Sequence, residues 1–278
     1  MLALGANAIA PTHIQFPRWA SRRGAAPLRH DGWMWIEDVT PETSRPVRRP
    51  WLVQRWEDLA FLHWAVPPAT VAPFLPRGTV PDTLDGVTYV GLIGFRLVGL
   101  GPLGGPGIPY LGTFLETNVR LYSVDDRGRR AVVFLSLDAE RLLPVVTAQA
   151  LLRLPYKWSR MSLVKDSGVL RYASTRRWPG PRGAATAFSV RVGEPLGEPS
   201  PLEHFLTARW GLHTRAWGRT VHLPNEHPRW PLFRAEALEL GDGLIRAAGL
   251  PAMADPPVSV LYSPGVPVTF GAPGIAAR

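Results

Sequence analysis

Residues 113–138 read Thr-Phe-Leu-Glu-Thr-Asn-Val-Arg-Leu-Tyr-Ser-Val-Asp-Asp-Arg-Gly-Arg-Arg-Ala-Val-Val-Phe-Leu-Ser-Leu-Asp. Two strand-like runs flank a polar turn that contains a glycine, which predicts a β-hairpin. Side chains alternate along a strand, so Glu116, Asn118, Arg120 and Tyr122 fall on one face, and Leu115, Thr117, Val119 and Leu121 on the other. With Val124 paired to Arg129, Arg120 is expected opposite Val133, Asn118 opposite Leu135 and Glu116 opposite Leu137. The return strand is apolar on both faces, as in a strand covered on both sides. A row of carboxylate, amide, guanidinium and phenol beside aliphatics makes a poor solvent face. It suits the wall of a ligand-sized cavity better. The competing reading is a structural Glu116–Arg120 ion pair on a half-wet sheet, and a one-residue slip in register would turn the row the other way.

The rest of the chain supports a β-rich domain. Its 278 residues suffice for a large core, and 46% are hydrophobic. Thirty prolines and 27 glycines are scattered throughout, which predicts many short strands and turns with a few short helices, a mainly β (α+β) class. Residues 1–48 are rich in Pro and Arg and lack periodicity, so a poorly ordered arm is expected. A single domain over 49–270 and a tail at 271–278 follow. Trp51–Val66 is rich in aromatics and reads as a strand through Leu59–Val66; Val87–Val98 reads as a second strand, with a short helix at Ala69–Leu75 between them. The Gly/Pro-rich stretch 99–109 is expected to be a mobile loop with a possible role as a lid. Glu140–Leu152 suits a helix, and strands at 156–164, 169–176 and 184–192 follow. Ser200-Pro-Leu-Glu203 is a capping box opening a helix. Strands near 211–216, 220–223, 230–240 and 258–262 and a helix near 244–248 complete the reading.

Composition also limits function. The absence of cysteine removes disulfides and thiolate metal sites. His204, His213, His222 and His227 show no metal-binding spacing, so no metal and no cofactor are expected. No apolar run is long enough to span a membrane, and the N-terminus lacks the basic start of a signal peptide. A cytoplasmic location is the expectation. The net charge of +9 rests on arginine, with lysine only at 157 and 165. Basic residues cluster only as pairs without a nucleic-acid motif, which argues against a nucleic-acid partner.

Five segments carry a resemblance: Trp56-x-Asp-Leu-x-Phe-Leu-His-Trp-x-Val-Pro-Pro68, Leu84-Asp-Gly-x-x-Tyr-Val-Gly-Leu-Ile-x-Phe-Arg96, Glu116-Thr-Asn-Val-Arg-x-Tyr122, Phe134-x-Ser-Leu-Asp-Ala139 and Leu154-Pro-Tyr-x-Trp-x-Arg-Met161. Over residues 50–265 the chain resembles the YqjF-like family of uncharacterised bacterial proteins. More remotely, the order of elements is similar to acetoacetate decarboxylase, which implies a twisted sheet or partial barrel around an internal cavity. In that enzyme a Pro-Lys-Lys segment supplies the Schiff-base lysine, and the second lysine activates the first. Here Glu116 matches the active-site glutamate, and Pro155-Tyr156-Lys157 stands at the lysine segment. Tyr156 takes the nucleophile's place.

Three readings follow. The first is a protein that holds a small carboxylate or carbonyl metabolite through Arg120, Asn118, Tyr122, His63 and Arg160. The second is a lyase- or decarboxylase-like enzyme on an oxo-acid, with Lys157, Glu116 and Tyr156 as catalytic residues. The third is a structural or nucleic-acid-associated role. The first is preferred.

Overall fold

The computed structural model describes residues 35–102, 105–241 and 243–277. Its elements are β1 (Leu52–Val66), α1 (Pro68–Val71) with a 3-10 turn at Ala72–Phe74, β2 (Thr79–Pro81), β3 (Thr88–Pro102), β4 (Phe114–Asp125), β5 (Arg130–Ala139), α2 (Leu142–Leu152), β6 (Tyr156–Asp166), β7 (Val169–Trp178), β8 (Ala185–Pro195), α3 (Pro201–Thr207), β9 (Gly211–Ala216), β10 (Arg219–Glu226), β11 (Phe233–Leu240), α4 (Gly243–Ala247), β12 (Ser259–Phe270) and β13 (Gly274–Ala277). The class is mainly β, as the Pro/Gly punctuation predicts.

The described strands join one sheet in the order β13-β10-β9-β5-β6-β7-β8-β11-β12-β1-β3-β4-β2. Two further pairings bend it back on itself. β4 pairs with β5, closing a ring through β6, β7, β8, β11, β12, β1 and β3. β10 pairs with β12, so β9 and β10 bridge the opposite side. The strands β12-β1-β3-β4-β5 are therefore covered on both faces, which explains the nearly continuous apolar runs in β1, β3 and β5. On one face Leu62, Leu92, Val119 and Leu121 pack against Tyr172, Phe188, Val190, Leu244 and Ile245. On the other, Tyr122 and Leu137 pack against Phe205 and Leu206 of α3 and Leu212 of β9. Beside them Phe61, Ile93 and Phe95 pack with Val145 of α2 and Leu232.

The β4–β5 hairpin forms, but its register differs from the expectation. Val124 pairs with Arg130, Arg120 with Phe134, Asn118 with Leu137 and Glu116 with Ala139, with a shift between Val119 and Arg120. The cause lies in the turn. Asp125 Oδ1 accepts from the backbone N–H of Arg127 (3.0 Å) and Arg129 (2.9 Å), and Gly128 adopts φ +76°. This self-capped turn takes Arg129 out of the paired strand. The bulge then absorbs a further residue on β5.

Three segments carry more structure than composition suggests. Strand β3 runs on to Pro102, through the glycines expected to start a mobile loop. Residues 105–112 bond back to it, with Ile108 N donating to Leu100 O and Leu100 N to Gly112 O, both at 2.9 Å; residues 103 and 104 lie outside the described residues. Within the expected arm, residues 1–34 also lie outside the described residues, while 35–48 are held first against the hairpin at Glu37 and then at Glu42 by Arg229 and at Val47 by Glu226. Glu37 N donates to Gly128 O (2.9 Å), and its carboxylate accepts from Ser44 and Arg45. At the other end, Gly274–Ala277 adds a strand to β10.

Candidate functional site

Strand β4 builds the site by alternation. Glu116, Asn118 and Tyr122 are buried on one face, and Arg120 is half-buried. Across the ladder, Phe95 pairs with Glu116, Ile93 with Asn118 and Gly91 with Arg120, and His63 pairs with Gly91. Gly91 matters because a Cβ there would lie 3.1 Å from both the Arg120 and His63 side chains. Its bare backbone lets those two groups meet over β3.

One end of the row is locked by α3. The Tyr122 hydroxyl and Arg120 Nη2 both donate to the carbonyl of Leu206, at 3.0 and 2.9 Å. Arg120 Nε donates to Tyr122 Oη (3.1 Å), and His63 Nε2 lies 2.8 Å from the same hydroxyl. Burial, then the Arg120 and Arg209 guanidiniums, hold the pKa of His63 well below its usual value, so the imidazole is neutral. Arg209, over the Phe205 ring, is paired through Asp82, which also pairs with Arg130. Arg120, Tyr122 and His63, singled out as ligand contacts, thus bond to one another and to a main-chain carbonyl.

The other end is chemically open. Tyr156, at the start of β6, pairs with Leu137 of β5 in a parallel ladder. Its hydroxyl donates to Glu116 Oε2 at 3.0 Å. Burial pushes the Glu116 carboxyl up to about 7, against the opposing pull of hydrogen bonds from Tyr156 and Asn118. Burial and the neighbouring carboxylate hold the Tyr156 phenol protonated well beyond its ordinary range. Asn118 Oδ1 is buried without a hydrogen-bond partner. This corner holds a proton that exchanges near neutrality beside an unmet acceptor.

Lys157 does not join it. Consecutive strand residues point to opposite faces, and Lys157 pairs with Asp138 on the far side of the sheet. There Asp138 accepts from Ser159 Oγ (2.7 Å), Arg176 Nε (2.9 Å) and Arg176 Nη2 (2.7 Å). Lys157 is half-buried beside this pair; burial, then Arg176, lowers its pKa, while Asp138 partly restores it. Arg160 is exposed. β5 and β6 pair only through Tyr156–Trp158, so the face carrying Arg160 runs out from under its cover. Of the three expected catalytic groups, Glu116 and Tyr156 meet and Lys157 stands apart. The Leu206 carbonyl, Asp82 and the Asp138–Arg176 pair were not singled out, since each depends on contacts distant in sequence.

A family model for DUF2071, described as an uncharacterized conserved protein, matches residues 53–267. The chain belongs to this family. Protein YqjF of Bacillus subtilis (strain 168) is 29% identical over 188 residues, covering 67% of this chain and 77% of its own. Among solved structures, an acetoacetate decarboxylase-like enzyme from Sphingomonas wittichii RW1 matches with a TM-score of 0.55 at 14% identity, covering 82% of this chain and 93% of its own. An acetoacetate decarboxylase matches with a TM-score of 0.55 at 10% identity, over 84% and 91%. The enduracididine biosynthesis enzyme MppR, complexed with pyruvate, matches with a TM-score of 0.54 at 16% identity, over 82% and 90%. At these identities the shared property is the fold: this DUF2071 chain has an acetoacetate decarboxylase-like architecture.

Proposed function

We propose that this protein holds a small carbonyl or carboxylate compound against the corner formed by Glu116, Asn118 and Tyr156, without forming an imine. The observation that carries this reading is the Glu116 carboxyl, buried and with its pKa raised to about 7, beside the unpartnered Asn118 Oδ1. A buried carboxyl poised near neutrality beside an unmet acceptor is costly as pure scaffolding. Protonated Glu116 can donate to a ligand oxygen, and Asn118 can accept from a hydroxyl, an enol or a bridging water. The apolar side chains of Ile93 and Phe95, facing the same corner, suit a short carbon skeleton. MppR, of like architecture, is seen with pyruvate.

A second reading is favoured by the same pKa. Glu116 is suited to move a proton α to a carbonyl, with the Tyr156 hydroxyl bonded to it. Lys157, on the other face, has no part in that step. A thermal-shift panel of short 2-oxo and 2-hydroxy acids tests binding, and loss of α-proton signals in heavy water tests turnover. The proposal expects at least one ligand to stabilise the wild type and to lose its effect in Glu116→Leu, which can neither donate nor accept. A panel that raises the melting temperature of neither protein, or of both equally, sinks it.

A further inference from the structure

The bulge in the β6–β7 ladder builds a second feature. Trp158 pairs with Trp178 and Ser159 with Arg176, which leaves Arg177 as the extra residue. Bulges re-aim side chains, and Arg177 lies with its guanidinium 4.9 Å from the centre of the Trp158 ring. A shallow, widely open cleft of about 730 Å³ lies there, with Leu142 and Val146 of α2, Trp158 and Trp178 as its apolar lining. Arg176, Arg177 and Arg182 supply the polar lining, and among the described residues no acidic side chain lines it. Leu142, Val146 and Trp178 are each more than two-fifths exposed, an unusual amount of apolar surface to leave around one opening.

The charges differ in availability. Arg176 is fixed at the base by both of its bonds to Asp138, neither of which uses Nη1. Among the described residues, no carboxylate lies within ion-pair distance of Arg177 or Arg182. Guanidiniums over an indole are positioned for planar, bidentate anion recognition. A second copy docking here about a two-fold axis would set guanidiniums against guanidiniums, which disfavours self-association.

We propose that this cleft is a binding site, separate from the Glu116 corner, for an organic anion with a flat apolar body: an aromatic carboxylate, sulfonate or phosphate ester. The apolar part stacks between Trp158, Trp178, Leu142 and Val146, and the anionic group meets Arg177 and Arg182.

The test uses the full chain with naphthalene-2-sulfonate as the probe and neutral 2-naphthalenemethanol as its control, read by calorimetry. The sulfonate should bind more tightly than the alcohol. Its affinity should drop about tenfold or more in the Arg177→Gln/Arg182→Gln double variant and weaken between about 50 mM and about 500 mM salt. Both arginines are exposed, so the variant's melting temperature should match wild type. In Glu116→Gln the affinity should be unchanged, which keeps this result independent of the first site. Equal binding of alcohol and sulfonate, unaltered affinity in the double variant, or a wild-type dimer abolished by Val146→Glu in sedimentation, would overturn the proposal.

Discussion

Burying Glu116 makes its ionisation a stability term. In the folded chain its pKa rises from 4.5 to about 7, so between those values the folded state keeps a proton that the unfolded state releases. Stability contributed by this group is complete below pH 4.5 and is lost as pH rises through 7, by roughly 3 kcal/mol at one and a third kcal/mol per pKa unit. Glu116→Gln is therefore expected to be more stable than wild type at pH 8 and to lose that advantage near pH 4.5, by urea unfolding at both values. A parallel pH dependence in the two proteins would contradict the assignment. On the opposite face, Asp138→Asn leaves Arg176 buried without its counter-charge and is expected to cost about 3–5 kcal/mol. Lys157→Met should leave ligand affinity unchanged, and borohydride treatment with pyruvate should add no mass at Lys157. Alternation alone made the Glu116-Asn118-Arg120-Tyr122 face legible. The same rule separates Tyr156 from Lys157, but which of them meets Glu116 depends on the β5–β6 pairing, a contact between segments joined only through α2.

Among the elements, α3 carries more of the site than its seven residues suggest. Its capping box forms as the sequence predicts, with Ser200 and Glu203 each bonding the other's backbone N–H. Its last turn presents the Leu206 carbonyl to Arg120 and Tyr122. Ser200→Ala is expected to cost about 1 kcal/mol. Amide exchange should quicken in α3 first, leaving the β4–β5 ladder protected. The hairpin was legible as an element, whereas its register was not. Asp125 bonds within its own turn, and the bulge at Val119/Arg120 was hidden because Leu135 is as apolar as its neighbours. The bulge behind Arg177 was equally invisible, since nothing in a run of polar and aromatic residues marks which one lacks a partner.

Across the whole molecule, ring closure through β4–β5 ties distant segments into one sheet, which predicts a single unfolding transition rather than separate lobes. The segment at 35–48 is an appendage to that unit, held by Glu37 at the hairpin and by the bonds of Glu42 to Arg229 and of Val47 N to Glu226. Such contacts have no periodicity, so composition alone suggested a loose arm. Glu37→Ala should speed cleavage by trypsin within 45–49 while leaving the melting temperature of the core nearly unchanged. The β-rich class was legible from proline and glycine spacing, and the architecture from the five family-like segments. The closing pairs are long-range contacts, and no local pattern announces them.

The measurement closest to the central claim is calorimetric binding of a short 2-oxo acid across pH 5.5–8.5, in wild type and Glu116→Gln, with about tenfold steps per unit as the limiting slope. If protonated Glu116 receives the ligand, wild-type affinity weakens as pH rises through about 7, and the Gln variant shows no inflection there. Wild-type affinity that is flat across that range, or an inflection that persists in the variant, would contradict the account.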